Sequence, residues 1–277
     1  MIDSFLYFNE TDLFFLRIQY LDSHVRRFVI VETDTTFSCQ PHPAQFDRVY
    51  QQLSSSQKQK IDYHYLRIDH SVFEPGEENF KNNSRHVERE MRNALATVIK
   101  SVGQDEYMMM SDLDEFPDTR CLEAARQLVD QHGKMFWAQD TRAAYFDWQM
   151  QNGRWPGTKM CHVSNIPDPI QDLYMSKNKT WGTYGDAKLE AGWHFTLMGD
   201  AAMKQQQIVA KREGPGWQQK LNKTGAEIAQ GMTRGQYNQV VKKGKMRAEK
   251  VGVGDLDPAL VALARQYSTL WSGAVRP

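Results

Sequence analysis

A short acidic segment, Ser111-Asp112-Leu113-Asp114-Glu115, carries the clearest chemical signal in the sequence. It follows the apolar run from Glu106 to Ser111, which is typical of a buried strand. In an extended segment, residues two apart point the same way, so Asp112 and Asp114 should face one site while Leu113 points to the core. Two such close carboxylates repel each other unless a cation lies between them. The spacing therefore predicts a site for a hard divalent metal ion that also binds phosphate oxygens.

A metal of this kind suits a reaction whose leaving group is a nucleoside diphosphate, because the cation neutralises the charge that develops as the bond breaks. The alternative is a solvated loop, where Asp-x-Asp triplets are common. The preceding strand, the following Pro117 and a helix that begins at Asp118 or Thr119 favour the metal site.

A helix is predicted over residues 82–100, because its apolar residues recur at three- and four-residue spacing. Arg85, Arg89 and Arg92 recur at the same spacing and lie near one flank, which could hold a diphosphate or a ribose. A solvated face of Glu–Arg pairs explains the spacing equally well. Further along, His194 lies among aromatic residues, where a lone His is more often a hydrogen-bonded core residue than a ligand.

Strands and helices alternate over the first 130 residues or so. Strands are predicted at residues 4–8, 27–33, 63–68 and 106–111, and Asn9 is expected to cap the first helix with Asp12 as its capping-box acid. This alternation indicates an α/β domain with a largely parallel sheet, whose functional loops lie beyond the carboxyl ends of the strands.

The pattern of predicted secondary structure changes after residue 134. Short aromatic strands are predicted at 134–138, 143–150 and 192–197, and the pattern from 201 to 277 is mainly helical. We therefore expect one catalytic domain over residues 1–200, with a helical C-terminal extension over 201–277 packed on it.

The composition excludes several classes of protein. The 34 basic and 34 acidic residues balance, so no overall charge attracts nucleic acid or a membrane. Seven Trp residues suit stacking on sugars, although core packing is the commoner use. The three cysteines, Cys39, Cys121 and Cys161, are an odd number without paired spacing, as in a reducing compartment. With no visible signal peptide or membrane-length apolar stretch, we expect a cytoplasmic protein.

Several motifs, in order, resemble glycosyltransferase family 17, whose vertebrate members are the β-1,4-mannosyl-glycoprotein β-1,4-N-acetylglucosaminyltransferases. Asp3 to Leu21 resembles the opening strand and helix of the family, and Phe28 to Phe37 resembles its second strand and Thr-Phe turn. Ser111 to Pro117 resembles its metal motif, and Gly192 to Thr196 its late Gly-Trp-His-Phe segment. A weaker similarity covers Asn222 to Arg234.

The resemblance implies a GT-A-like fold, in which a Rossmann-type nucleotide half (about 1–120) is fused to an acceptor half (about 121–200). It also implies an inverting mechanism, manganese or magnesium, and a UDP-sugar donor, with UDP-N-acetylglucosamine as the first choice. Asp112 and Asp114 would bind the metal and His194 would complete its coordination. Arg89 and Asn93 would contact the nucleotide, as Asp112 would through the metal.

An inverting transfer also needs a general base to deprotonate the acceptor hydroxyl. Glu190 and Asp186 are the candidates, with Asp140 behind them, because a carboxylate needs only a modest pKa rise from partial burial. Lys204 or Lys211 should lie near the diphosphate and offset the charge on the departing UDP.

Two other functions are compatible with the sequence. A sugar-nucleotide nucleotidyltransferase also combines an α/β domain with metal-binding carboxylates, but it usually has a Gly-rich phosphate loop after the first strand, and Phe8-Asn9-Glu10-Thr11 has no glycine. A non-catalytic carbohydrate-binding protein would use the aromatic residues and keep the carboxylates for structure. The expected partners are a sugar nucleotide and a carbohydrate acceptor, without nucleic acid.

Overall fold

The computed structural model describes residues 1–102, 106–151, 154–168, 170, 173, 187–210 and 248–272. In its first part, strands and helices alternate: β1 (Ile2–Leu6), α1 (Thr11–Leu21), β2 (Arg27–Thr33), α2 (Phe46–Tyr50), α3 (Ser55–Lys58), β3 (Ile61–Leu66), α4 (Phe80–Val102), β4 (Tyr107–Asp112), β5 (Glu115–Phe116) and α5 (Leu122–His132). The remainder contains β6 (Lys134–Ala143), β7 (Trp148–Met150), β8 (Trp155–His162), β9 (Ala187–Leu189), β10 (Trp193–Thr196), α6 (Ala201–Ala210), β11 (Ala248–Lys250) and α7 (Pro258–Ala264).

The main sheet has the strand order β11-β7-β6-β8-β4-β1-β2-β3. Strands β3, β2, β1 and β4 are parallel neighbours, whereas β8 is antiparallel to both β4 and β6. Strands β9 and β10 pair with β6 in parallel, and β5 pairs with β10 antiparallel. The predicted α/β class is confirmed, with a sheet that is parallel in its first half and mixed as a whole.

Both faces of the parallel half are covered, so its strands are apolar almost throughout. Alternate residues point to opposite faces. Phe5, Ile30 and Met109 pack in the cluster that contains α1, α5 and α7, while Val31 and Met110 pack with α4 on the other face. This two-sided burial explains why the sequence shows continuous apolar runs here.

Most predicted elements are present, with shifts at their ends. Strand β2 has the predicted bounds, and β1 and β3 begin two residues earlier than predicted. Strand β8 was missed because it begins with Trp155-Pro156-Gly157, and Pro and Gly are signals of turns. The region after residue 201, predicted to be mainly helical, also contains strand β11.

The predicted capping of α1 by Asn9 is wrong. Helix α1 begins at Thr11 after Glu10, and no side chain caps it. The side-chain amide of Asn9 donates to Gln206 instead, and the side chain of Asp12 accepts from Thr269. Both polar groups that would form a capping box are therefore used in contacts with the C-terminal part of the chain.

A buried arginine joins the first helix to the acidic segment. Arg17, fully buried on α1, donates to both carboxylate oxygens of Asp3, at 2.8 Å from Nε and 2.7 Å from Nη2. Its Nη2 also donates to Ser111 Oγ at 2.6 Å, and its Nη1 donates to the carbonyl oxygens of Glu115 at 2.6 Å and Leu113 at 3.3 Å. One guanidinium thus fixes β1, α1 and the end of β4 relative to each other.

The described C-terminal residues pack against this framework. Tyr20 on α1 donates to Asp257, which precedes α7, at 2.9 Å. Arg142 on β6 donates to both carboxylate oxygens of Asp255 at 2.6 Å. No helix in the described parts of the chain combines the length and the apolar character needed to cross a membrane.

Replacing Arg17 with Met should lower the free energy of unfolding by about 3–5 kcal/mol, because the charge of Asp3 is then buried without compensation. Adding Asp3→Leu should recover part of this loss, since neither charge then remains. The control is Arg27→Met, which breaks a partly exposed pair with Asp62 and should cost less than about 1 kcal/mol. Denaturant unfolding measures all three, and equal losses for the two single variants would contradict the expectation.

Candidate functional site

The site lies where the strand order reverses. Strand β1 has β2 and β3 on one side and β4 on the other, and Leu6 is in register with both Val31 and Asp112. The loops that follow β1 and β4 therefore lie side by side beyond the carboxyl ends of two parallel strands. In open α/β sheets this crevice is the usual place for a ligand.

The acidic segment is not extended as predicted, because Leu113 and Asp114 form a turn between β4 and β5. Leu113 is buried, whereas Asp112 on one side and Asp114 on the other are partly exposed. Asp112 Oδ1 accepts from Nη2 of the buried Arg92 at 2.8 Å. The backbone N–H of Asp112 donates to Glu115 Oε2 at 3.2 Å. The carboxylates of the two aspartates thus reach the surface at the end of β4.

Strand β10 brings His194 to the same place. His194 lies opposite Glu115 in the β10–β5 pair, and its Nε2 is 3.4 Å from Asp114 Oδ2. The indole of Trp155 stacks on the His194 ring at 4.7 Å, and Trp155 Nε1 donates to Glu115 Oε1 at 2.7 Å. Three strands that are distant in sequence therefore converge on one small polar centre.

The donor atoms here are two carboxylates and one imidazole. Within the described residues, no group of three or more His, Cys, Asp or Glu side chains is arranged to hold a metal ion. Asp114 and His194 are together, while one oxygen of Asp112 is bonded to Arg92. The carboxylates alone match what a magnesium-like cation usually takes from a protein, one or two carboxylates with water and substrate phosphates completing its shell, and an imidazole nitrogen is a ligand more typical of transition metals.

A further carboxylate, which sequence reasoning missed, lies next to this centre. Glu10 follows β1, and its Oε2 accepts the backbone N–H groups of Phe8 and Asn9 at 3.3 and 3.2 Å. Burial, and then the negative charge of Asp114, raise the pKa of Glu10 to about 7. Nothing in the sequence says that β1 and β4 are neighbours, so the proximity of Glu10 to Asp114 could not be predicted.

A cavity of about 730 Å³ adjoins the loop after β1. This volume is typical of a small-molecule or cofactor site. Its walls come from the β1 loop, from the segment after β2 and from α6; they include Tyr7, Phe8, Asn9, Gln40, His42, Gln45, Arg48, Met203 and Gln206. The rings of Phe8 and His42 are stacked, 4.6 Å apart. Among the described residues, the cavity lining has no acidic side chain, has Arg48 as its cationic one, and has many amides and hydroxyls that can bond a polar ring.

A sequence model of glycosyltransferase family 17 matches residues 1–209, which is most of the chain. The chain belongs to glycosyltransferase family 17. No curated protein matches it.

Among solved structures, the fold is similar to galactosyltransferase LgtC in complex with donor and acceptor sugar analogues, at 9% identity, 97% coverage of each chain and a TM-score of 0.37. It is also similar to residues 1–349 of S. aureus TarS in complex with UDP, at 11% identity, with 87% of this chain and 80% of that chain covered and a TM-score of 0.38. A putative glucose-1-phosphate thymidylyltransferase from Bacillus anthracis has 11% identity, coverage of 70% and 88%, and a TM-score of 0.34.

In this family 17 protein, the arginine of α4 that reaches the acidic segment is Arg92, which donates to Asp112. Arg89, the residue expected to contact a nucleotide, is about half exposed and contacts Glu90 and His86. Asn93 is partly buried, and its carbonyl oxygen accepts from Thr97. The nucleotide-binding roles of Arg89 and Asn93 stay predictions.

Lys204 is buried rather than directed into the cavity. Its ammonium donates to the carbonyl oxygen of Gly199 and lies 4.5 Å from the centre of the Tyr145 ring. Burial lowers the pKa of Lys204 to about 8, against the opposite effect of Asp200. Its neighbours on α6, among them Met203, face the cavity. A role of Lys204 beside the diphosphate stays a prediction.

The candidate general bases differ in their surroundings. Glu190 is more than half exposed, and Lys188 Nζ donates to it at 2.9 Å. This hydrogen bond lowers the pKa of Glu190, so the expected rise is wrong, while its role as base stays a prediction. Asp140 lies 3.7 Å from Arg154 Nη2. Asp186 and Lys211 lie outside the described residues.

The raised pKa of Glu10 has a consequence for stability. Because the folded protein binds this proton more tightly than the unfolded chain, the stabilisation is complete below pH 4.5 and is lost as the pH rises through about 7. Glu10→Gln keeps an oxygen acceptor without the charge. Relative to the wild type, the variant should gain about 2 kcal/mol between pH 5 and pH 8, after allowance for solvent screening. Unfolding at both pH values checks this, with Glu123→Gln on the exposed face of α5 as control; parallel behaviour of all three proteins would contradict it.

Proposed function

We propose that this protein is an inverting, metal-dependent glycosyltransferase that moves a sugar, N-acetylglucosamine in the first instance, from a UDP-sugar to a hydroxyl group of a glycan or a related acceptor. One observation carries the proposal. In a member of family 17, Asp112 and Asp114 follow β4 at the reversal point of the sheet, His194 lies 3.4 Å from Asp114, and a cavity of about 730 Å³ adjoins the neighbouring loop after β1.

The cavity suits the uridine part of the donor. Its amide and hydroxyl groups can pair with the edge of a pyrimidine, and the aromatic ring of Phe8 offers a surface for stacking. Asn9 lines the cavity, and the next residue, Glu10, lies close enough to Asp114 for that charge to raise its pKa. A nucleoside in the cavity would therefore direct its diphosphate towards Asp112 and Asp114.

The metal ion would be held by Asp112, Asp114 and His194 together with the diphosphate, and when bound it would neutralise charge on the leaving group. The chain itself orients these ligands. Arg92 holds one oxygen of Asp112, and the indole of Trp155 restricts the ring of His194. Preorganised ligands lower the reorganisation that the reaction requires.

Inversion requires the acceptor oxygen to attack the anomeric carbon from the side opposite to the departing UDP, while a carboxylate accepts its proton. Glu190 is one candidate for this carboxylate, but the hydrogen bond from Lys188 lowers its pKa and so makes it a weaker base. Asp186 and Asp140 are the other candidates. Lys204 or Lys211 would offset the charge on the released UDP.

The choice of donor gives the first prediction of this function. UDP-N-acetylglucosamine with Mn²⁺ should stabilise the protein by about 2.7 kcal/mol at a concentration of 100 times Kd, and EDTA should abolish the effect. UDP-glucose and UDP-galactose are the next choices. Thermal unfolding with UDP-, GDP- and CMP-sugars measures this. Stabilisation by a GDP-sugar without any response to UDP would contradict the donor, and transfer of a nucleotidyl group to a sugar phosphate would show a nucleotidyltransferase.

The second prediction concerns the ligands. Asp114→Asn should reduce turnover at least 100-fold, roughly the loss caused by removing one group that stabilises charge in a transition state, while unfolding stays cooperative. His194→Ala should weaken UDP binding mainly when metal is present. The matched control is Glu123→Gln, a strongly exposed carboxylate on α5. Normal turnover of Asp114→Asn would refute the metal site, and equal loss of UDP binding by His194→Ala with and without metal would make His194 a structural residue.

A further inference from the structure

Glu115, the last residue of the acidic segment, has a buried carboxylate between two halves of the site. Its side chain is 1% exposed. The two carboxylate oxygens serve different donors: Oε1 accepts from Trp155 Nε1 at 2.7 Å, and Oε2 accepts from the backbone N–H of Asp112 at 3.2 Å. The carboxylate is therefore a bridge between β8 and the end of β4.

The chemistry of this bridge requires a hydrogen-bond acceptor on each of the two oxygens. Both of these donors are N–H groups, which only donate, and a carboxylate has acceptors on both oxygens. A glutamine at this position has one acceptor and one NH₂ group, so it can satisfy one donor and must face the other with a donor of its own. A buried donor that loses its acceptor is costly.

The backbone of Glu115 is held independently of its side chain. Its carbonyl oxygen accepts from Arg17 Nη1 at 2.6 Å and from Thr158 Oγ1 at 3.1 Å. Glu115 is also in register with His194 in the β5–β10 pair. A change of side chain should therefore alter the two side-chain contacts while these backbone contacts persist.

The two contacts act on opposite ends of the metal site. Through the backbone N–H, Glu115 fixes the residue that begins the acidic turn, Asp112. Through the indole N–H, it fixes Trp155, whose ring stacks on His194 with an interplanar angle of 24°. His194 in turn faces Asp114 at 3.4 Å. A single carboxylate thus contacts both the backbone of Asp112 and the indole that packs on His194.

We propose that Glu115 is a positioning residue of the donor site: it sets the His194 ring through Trp155 and sets Asp112 through its backbone, so that both meet the same diphosphate-bound metal ion. This inference rests on the proposed glycosyltransferase function. A positioning residue can be distinguished from a structural one by UDP affinity. Loss of a structural carboxylate would lower stability and leave metal-dependent UDP affinity unchanged.

The test is a double-mutant cycle of Glu115→Gln, Trp155→Phe and the double variant. Glu115→Gln should weaken Mn²⁺-dependent UDP binding about 10- to 100-fold, as substitutions of residues that orient metal ligands do. The Trp155→Phe substitution keeps a ring on His194 without an N–H group, so the side-chain amide introduced by Glu115→Gln can turn its oxygen to Asp112. The double variant should therefore bind no more weakly than Trp155→Phe alone, which makes the two substitutions strongly non-additive.

A matched control is Asp257→Asn. Asp257 is another buried carboxylate with donors on both oxygens, from Tyr20, Thr119 and the backbone of Ala259. This variant should lose stability with unchanged metal-dependent UDP affinity. Glu115→Gln with the same behaviour as Asp257→Asn, or additive losses in the cycle, would overturn the positioning role.

A readout on the metal-free protein separates this inference from the proposed function. Glu115→Gln should shift the NMR signals of the Trp155 indole N–H and of the His194 ring, whereas Asp257→Asn should leave both unchanged. If the wild type binds no UDP with any metal, the proposed function fails, and the His194 signals still decide whether Glu115 sets that ring. Unchanged His194 signals in Glu115→Gln would overturn the inference whatever the donor is.

Discussion

The buried pair of Arg17 and Asp3 is the constraint on which the rest of the site depends. Each N–H direction of the guanidinium has an acceptor, two on Asp3 and the others on the acidic segment, and the rings of Phe5 and Phe116 lie against its faces at 5.0 and 5.5 Å. A charge in this apolar layer is tolerable only with such complete pairing. Three of the five acceptors lie between Ser111 and Glu115. The hydrogen-bonding requirement of Arg17 therefore determines the course of the chain around Asp112 and Asp114.

Several acidic side chains lie close together at one point of the sheet, and they determine the electrostatics of the site. Asp112 is paired with Arg92, and the Glu115 carboxylate accepts two N–H groups. Asp114 has His194 at 3.4 Å, and Glu10 holds its proton up to about pH 7 because the charge of Asp114 adds to its burial. The pKa of Glu10 is thus raised mainly by burial and further by repulsion from the charge of Asp114. A divalent cation at this place would relieve that repulsion, which is the physical reason to expect one.

The sequence predicts whatever depends on local periodicity. The bounds of β2 and the long helix α4 follow from spacing along the chain. Leu113 is buried between two partly exposed aspartates as expected, but it lies in a turn and not in an extended segment. The sequence does not predict what depends on which strands are neighbours, as with Glu10 beside Asp114. The burial of Arg17 is not predicted for a related reason, since in the sequence it is one polar residue on an amphipathic helix. Strand β8 was missed because Pro156 and Gly157 usually end strands, yet here they begin one.

His194 on β10, the proposed metal ligand, and one wall of the cavity belong to one short stretch of chain. Strand β10 ends at Thr196, a turn follows in which Leu197 and Gly199 have positive φ angles of 57° and 103°, and α6 begins at Ala201. The turn is held by Lys204, whose ammonium donates to the carbonyl oxygen of Gly199. Because α6 turns Lys204 inwards, its neighbours Met203 and Gln206 face the cavity, where Gln206 accepts from Asn9. One turn of four residues therefore separates the strand that carries His194 from the helix that lines the cavity, so the two sides of the proposed donor site are adjacent in sequence as well as in space.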